Sequence, residues 1–235
     1  MSQLKEKASI IDAYIRKELN ALGFFEIDQY VFQKKLDEFS TGMIIIEKTD
    51  RRSRHTWFLS PTVGLINSRV EELYVELVDF IKDPTKLFTA MTSIGYLLPQ
   101  ADYKVWEFPI NFSNEQIQLV VNDFILETQN HILPLLDKSL DLNHLLLLLQ
   151  REKFGIMVFN NFKIPIIHYL LGEKDKGMQF INDVLNRARP SPKDPTRIIP
   201  LTFSSLEEIS QYFRKDKDVK YYYHYLNFSV KYRNL

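Results

Sequence analysis

The chain has 235 residues, and its 30 Lys and Arg balance its 30 Asp and Glu, so the formal net charge is zero. This balance argues against a dedicated nucleic-acid binder, because such proteins usually carry a basic excess. Cysteine is absent, which excludes disulfides, thiolate metal ligands and a cysteine nucleophile. The hydrophobic share of 45% is typical of a globular protein with a buried core.

Targeting and cofactor motifs are also missing from the sequence. The N-terminal residues alternate charged and apolar side chains, which does not match a signal peptide. No run of about 18 apolar residues occurs, so we expect a cytoplasmic protein with no membrane partner. The chain has only 7 glycines and no GxGxxG or GxxxxGK[ST] motif, so we predict no cofactor.

The first third of the chain predicts a helix followed by strands. Apolar residues at helical spacing predict a helix over Gln3 to Leu22, and Gly23 suits its C-terminal end. Phe24 to Leu36 is predicted to be extended. Two apolar runs then flank a short basic loop between Thr41 and Ile66, which is typical of paired strands. Pro61 is expected to form a bulge in the second of these strands or to end it, because proline cannot donate to a ladder.

The next segment adds a helix and two strands. Apolar residues from Val70 to Ile81 repeat at helical spacing, and Asp83-Pro84 ends that helix. Thr92 to Leu98 and Lys104 to Phe108 follow as strand candidates. This order predicts an α+β fold, in which an antiparallel sheet of about five strands has flanking helices.

The C-terminal half is predicted to be helical. Ser113 or Asn114 can cap a helix, and Leu140 to Gln150 forms a leucine-rich one. Phe154 to Phe159 fits either a strand or a helix, and Pro165 fits the first turn of a short helix through Leu171. Arg189 to Pro200 contains four prolines and is predicted to be irregular. We predict an α+β region over 1–112 and a helical region over 113–235, packed together as one compact unit.

The basic loop is the first candidate binding site. Arg51, Arg52, Arg54 and His55 cluster there and could hold phosphates or an acidic partner through bidentate pairs. The alternative is a solvated hairpin tip, whose charges keep neighbouring strand edges from pairing.

The C-terminal tyrosines are the second candidate. Tyr221, Tyr222, Tyr223 and Tyr225 lie beside Lys220, and tyrosine is favoured at protein interfaces. Aromatic residues mixed with basic ones also suit single-stranded nucleic acid. A helix that lays these aromatic rings on the core is the structural alternative.

Catalytic and metal-binding patterns are weak. Glu127 and His131 are four residues apart on one predicted helix, a spacing that could place two ligands on a metal. No third ligand is indicated, and neither HExxH nor GxSxG occurs. We therefore predict no metal site and no catalytic residues.

Five segments together carry a family resemblance. They are the Gly23-Phe24 junction, the aromatic strand from Tyr30 to Phe32, Gly95 to Pro99, Trp106 to Phe108, and the helix ending at Leu133-Pro134. This pattern, over residues 1 to about 140, resembles a DUF-type family of small bacterial α+β proteins. Some of its members are encoded beside polymorphic toxins and are interpreted as immunity proteins. The resemblance provides no functional residues that could be carried over to this chain.

The leading hypothesis is a bacterial protein that acts by binding another protein, with a toxin that it neutralises as the specific partner. Such a protein needs surface complementarity rather than reactive groups. One alternative is a small-molecule or metal-dependent enzyme with an unrecognised site. Another is a nucleic-acid-binding protein that uses the Arg51 loop and the tyrosines. The sequence leaves the oligomeric state open.

Overall fold

Helices and one antiparallel sheet make up the part of the chain that the structure describes. This structure is a computed structural model, and it describes residues 3–51, 56–79, 88–99, 103–151, 154, 157–188 and 220–235. In chain order the elements are α1 (Gln3–Ala21), β1 (Phe25–Asp28), β2 (Val31–Lys35), β3 (Ser40–Arg51), β4 (Thr56–Asn67), α2 (Ser68–Leu77), β5 (Ala90–Ser93), a 3₁₀ turn (Ile94–Leu97), β6 (Trp106–Pro109), α3 (Asn114–Glu127), a π turn (Thr128–Ile132), α4 (Leu133–Lys138), α5 (Leu142–Leu149), α6 (Met157–Leu170), α7 (Lys174–Ala188) and α8 (Lys220–Arg233).

The six described strands form one antiparallel sheet in the order β1-β2-β3-β4-β5, with β6 also paired to β4. The long hairpin of β3 and β4 is its centre, because the two strands pair from Ser40↔Asn67 to Arg51↔Thr56. Residues 62–65 of β4 pair with β5, and residues 56–59 pair with β6. The predicted α+β class, with a helical C-terminal half, is confirmed.

Pro61 separates the β5 and β6 partners of β4. The prediction that it bulges or ends its strand was wrong, because β4 runs on through Pro61, which pairs with Ile46 of β3. Continuing the β5 ladder past Ser93 would place Ile94 opposite Pro61, which has no N–H to donate. The strand predicted over Thr92 to Leu98 accordingly ends at Ser93, and a 3₁₀ turn follows.

One face of the sheet carries the core of the first unit. Phe32, Ile44 and Val63 lie side by side in register and are at most 2% exposed. Two helices supply further buried side chains: Ile11, Ile15 and Leu19 from α1, and Ile117, Val121 and Phe124 from α3. The ring of Phe124 packs edge-on against Trp106 of β6 at 5.2 Å, which joins α3 to the sheet.

A polar cluster fixes α1 to the hairpins. Tyr30 has a positive φ of 61°, which is uncommon for a tyrosine. Its hydroxyl donates to Asp12 of α1 at 2.8 Å, and Lys48 of β3 bonds both Asp12 at 2.6 Å and the Tyr30 hydroxyl at 3.0 Å. These bonds hold the β1–β2 turn in its unusual conformation.

The chain divides into two compact units. The first contains residues 1–67 and 88–145, and the second contains 68–87 and 146–235. These boundaries differ from the predicted boundary at residue 112. α3 and α4 belong with the sheet because they supply its buried face, whereas α2 belongs with the C-terminal helices.

A buried ion pair joins α2 to α6 in the second unit. Nζ of Lys163 lies 2.9 Å from the Glu71 carboxylate, and the two side chains are 3% and 1% exposed. Burial lowers the pKa of Lys163, while the charge of Glu71 opposes that shift. The ring of Tyr74 lies beneath the ammonium at 5.0 Å and adds a cation–π contact.

None of the helices within the described ranges combines the length and apolar character needed to cross a lipid bilayer.

We expect Lys163→Met to lower the free energy of unfolding by about 3–5 kcal/mol, because it leaves the Glu71 carboxylate buried without its cation. Urea denaturation followed by circular dichroism measures this change. The E71L/K163M double variant should recover part of the loss, because no charge then remains buried.

Lys176→Met is the matched control, since it breaks the exposed Lys176–Glu173 pair and should cost less than about 1 kcal/mol. Equal losses for the two lysine variants would show that the buried pair has no special importance.

Candidate functional site

The predicted basic loop lies almost entirely outside the described residues. The backbone of Arg51 ends β3 and pairs with Thr56 of β4. Arg52, Arg54 and His55 fall outside the described ranges. The hairpin around the loop is therefore present, and the binding role of these four residues stays a prediction.

The four predicted tyrosines lie on α8, and two of them are core residues. Tyr222 and Tyr225 are 2% and 0% exposed, whereas Tyr221 and Tyr223 are partly buried. Leu226 and Phe228 of the same helix are also buried. Most of this aromatic helix is used for packing, so Tyr222 and Tyr225 present almost no surface to a partner.

A proline in α6 explains why Tyr225 is buried there. Pro165 lies inside α6 rather than in the first turn of a short helix, so that prediction was wrong. It provides no N–H for the carbonyl of Asn161, four residues earlier. The hydroxyl of Tyr225 donates to this carbonyl at 2.9 Å and replaces the missing bond. Burial raises the pKa of Tyr225 well above its usual value, so the hydroxyl keeps its proton.

A second tyrosine of α8 binds the same part of α6. The Tyr232 hydroxyl donates to the Pro165 carbonyl at 2.9 Å. Gly177 of α7 passes so close to this hydroxyl that a side chain at position 177 would overlap it. The sequence signal for this arrangement is a proline in a long apolar helix together with tyrosines seven residues apart.

The Glu127–His131 pair belongs to an ion-pair network. His131 Nε2 lies 3.3 Å from Glu127, and Nζ of Lys104 lies 3.0 Å from both Glu127 and Asp123. Burial works against the charge of Lys104, but the two carboxylates outweigh it and raise its pKa. One oxygen of the Glu127 carboxylate therefore already binds an ammonium, and the other lies near His131. Within the described ranges, no three His, Asp or Glu side chains group as potential metal ligands.

The outer side of α3 carries an apolar pair that sequence reasoning missed. Leu119 is 67% exposed and Leu126 is 54% exposed. They are seven residues apart, so they align two turns apart on the side opposite the buried Val121 and Phe124. Gln118 and Asn122, bonded to each other at 2.7 Å, lie on one flank of the pair, and Asp123, which binds Lys104, lies on the other. We name Leu119 and Leu126 the outer leucine pair.

The signal for the outer leucine pair was present in the sequence. The helical spacing of Ile117, Val121, Phe124 and Ile125 predicts the core face of α3, and these residues are buried. Leucines that remain outside a completed core face are candidates for contact with a partner. Solitary exposed leucines are common, so the alignment of two is the informative feature.

Comparison with known proteins adds no assignment. No protein-family model matches this chain, and it shows no significant similarity to a curated protein or to a solved structure.

We expect Tyr225→Phe to lower the free energy of unfolding by about 1–3 kcal/mol, because the buried Asn161 carbonyl loses its donor. In a Pro165→Ala background the backbone N–H of residue 165 can bond that carbonyl. The same tyrosine substitution should then cost about 1 kcal/mol less, as measured by urea denaturation of the four proteins of a double-mutant cycle.

Tyr232→Phe is the control for this cycle. Its acceptor is the carbonyl of residue 165, which alanine and proline both possess, so its cost should be the same in both backgrounds. If Tyr225→Phe lowers the free energy of unfolding equally in both backgrounds, the Tyr225 hydroxyl does not replace the helix hydrogen bond that Pro165 prevents.

Proposed function

We propose that this chain acts by binding another protein, and that the outer leucine pair on α3 is an anchor of the interface. The supporting observation is the alignment of two highly exposed leucines opposite the buried face of one helix. Leucines two turns apart form the kind of seam that helices present to a partner's groove or helix.

The free energy of burying the outer leucine pair is enough for an anchor but not for a whole interface. Fully burying one leucine contributes about 1.5–3 kcal/mol, so the pair supplies about 3–6 kcal/mol. A micromolar complex needs about 8 kcal/mol, and surrounding contacts must provide the remainder. The amides of Gln118 and Asn122 suit a polar rim, because they can form hydrogen bonds without the desolvation cost of a charge.

The more specific proposal is a bacterial immunity protein whose partner is a toxin. It is supported by the resemblance of the Gly23 to Pro134 pattern to a family with such members. Neutralisation by covering a partner requires complementarity and no reactive group. The described residues are compatible with this, since Glu127 and Glu173, which contact His131 and His168, each also bind a lysine.

The two alternatives receive less support from the described residues. A metal-dependent enzyme would need a group of three ligands, and the described ranges hold none. A nucleic-acid binder that stacks bases on the tyrosines would need exposed rings, and Tyr222 and Tyr225 are buried.

We expect the L119E/L126E double variant to bind the partner at least about ten-fold more weakly, because burying two carboxylates in an apolar contact is costly. The tagged wild-type chain is used to capture proteins from a lysate of the source organism, with quantitative mass spectrometry as the readout. Light scattering of the purified chain shows whether the partner is a second copy.

Leu147→Glu is the matched control, because Leu147 of α5 is 56% exposed and lies outside the outer leucine pair. A partner retained by wild type and by this control, but lost from the double variant, supports the proposal. A captured toxin should also kill cells that co-express the double variant and spare cells that co-express wild type. Equal capture by all three proteins, with unchanged circular dichroism, would refute the outer leucine pair as the anchor.

A further inference from the structure

A pocket of about 390 Å³ lies within the second unit. Pockets that hold small molecules commonly measure about 300–1,000 Å³, so this one is large enough for a compact organic ligand. Residues from the end of α5, from α6 and α7, and from the first turn of α8 line it. Its described polar lining is Gln150, Arg151, Asn160, Asn161, Arg187 and Tyr221, and the rest of its described lining is apolar.

Two arginines make the pocket cationic. Arg151 and Arg187 both line it, and none of its described lining residues is acidic. Nε of Arg187 donates to the backbone carbonyl of Asp183 at 3.3 Å. Within the described ranges, neither guanidinium forms an ion pair with a carboxylate, so their terminal N–H groups can bind an anion.

The Tyr221 hydroxyl adds a neutral donor. The side-chain N–H of Asn161 donates to this hydroxyl at 2.8 Å, so the hydroxyl oxygen is the acceptor in that bond. The proton of Tyr221 is then available to a ligand. Burial raises the pKa of Tyr221, so this proton is retained at neutral pH.

Asn160 contributes an acceptor rather than a donor. Its amide nitrogen donates to the carbonyls of Leu149 at 3.1 Å and Phe154 at 2.6 Å, which uses both of its N–H groups. The same bonds connect the end of α5 to α6, so Asn160 also fixes the shape of the pocket floor.

The remaining walls are apolar and partly aromatic. Phe154 and Phe180 contribute rings, and Leu149, Ile164 and Val184 contribute aliphatic surface. An inorganic anion would contact the arginines but leave these walls uncovered. A ligand that fills the pocket therefore needs a flat apolar body as well as a negative group.

We propose that this pocket binds a small aromatic anion, that is, an aromatic ring that carries a carboxylate or phosphate group. Arg151 and Arg187 bind the anionic group with the Tyr221 hydroxyl, and the phenylalanine and aliphatic walls cover the ring. This site lies in the second unit and is independent of the outer leucine pair on α3.

The proposal is tested by calorimetric titration of the full chain with four probes: 1-naphthoate, 1-naphthyl phosphate, 1-naphthol and inorganic phosphate. The first three share the naphthalene ring system and differ in the group that it carries. We expect saturable one-to-one binding of at least one anionic naphthyl probe. Binding of 1-naphthol should be at least about ten-fold weaker, because hydrogen bonds to charged groups are the strong ones. Inorganic phosphate should bind more weakly than 1-naphthyl phosphate.

Single substitutions assign the binding to this pocket. Arg187→Gln and Arg151→Gln should each weaken binding of the anionic probe by about ten-fold and leave 1-naphthol binding unchanged. Ala188→Phe, which places a ring in the pocket, should abolish binding of every naphthyl probe. Lys176→Gln is the matched control, because it removes a positive charge from the same helix at a residue that does not line the pocket.

Several results would overturn the proposal. Equal affinity for 1-naphthol and 1-naphthoate would show that the arginines do not select an anion. Equal weakening by Lys176→Gln and Arg187→Gln would show a general charge effect rather than a site. Tight binding of inorganic phosphate alone would replace the aromatic anion with a simple oxyanion. Absence of saturable binding by a wild-type chain with a cooperative unfolding transition would refute the pocket as a site for this class of ligand.

Discussion

The missing N–H of Pro165 is the constraint on which the second unit depends. A buried carbonyl without a donor costs about 1–3 kcal/mol, so the Asn161 carbonyl needs a partner from outside its own helix. Tyr225 supplies that partner, and Tyr232 bonds the carbonyl of Pro165 itself. These two bonds fix how far α8 is displaced along α6 and which of its faces is buried. The close approach of Gly177 to Tyr232 brings α7 against the same point.

Aromatic packing in the second unit centres on the same helix α6. Among the described residues, Phe162 of α6 meets the rings of Tyr74, Tyr221, Tyr225 and Phe228 at centroid distances of 5.0–6.0 Å. Tyrosine suits the face of α8 that packs on α6, because its ring fills apolar space while its hydroxyl donates to a backbone carbonyl of α6. The same helix that completes the core leaves Tyr221 at the pocket wall, bonded to Asn161. One set of tyrosines therefore provides both core packing and a pocket donor.

The sequence predicted what local periodicity determines and missed what tertiary contacts decide. The first helix, the long hairpin and the capping of α3 by Ser113 follow from apolar spacing and turn chemistry. The predictions for Pro61 and Pro165 were wrong because neighbouring elements compensate for the N–H that each proline lacks. Pro61 still pairs with β3, and Tyr225 donates to the carbonyl that Pro165 leaves without a partner. Arg151 and Arg187 are 36 residues apart, and no local pattern indicates that they share a pocket. The outward direction of Leu119 and Leu126 follows from the predicted core face of α3, but only their exposed fractions show that no other part of the described fold covers them.

Net charge proved a poor guide to local electrostatics. The chain as a whole is neutral, yet within the described ranges some of its cations meet a carboxylate and others do not. Lys48, Lys104 and Lys163 each meet a carboxylate within 3.0 Å, so their charges are neutralised where they lie. The two pocket arginines meet no carboxylate within the described ranges, so their field remains available to a ligand. The outer leucine pair lies between uncharged amides and Asp123, whose charge is paired with Lys104, so association there depends mainly on apolar area. A neutral chain can therefore carry one recognition surface that works through shape and another that works through charge.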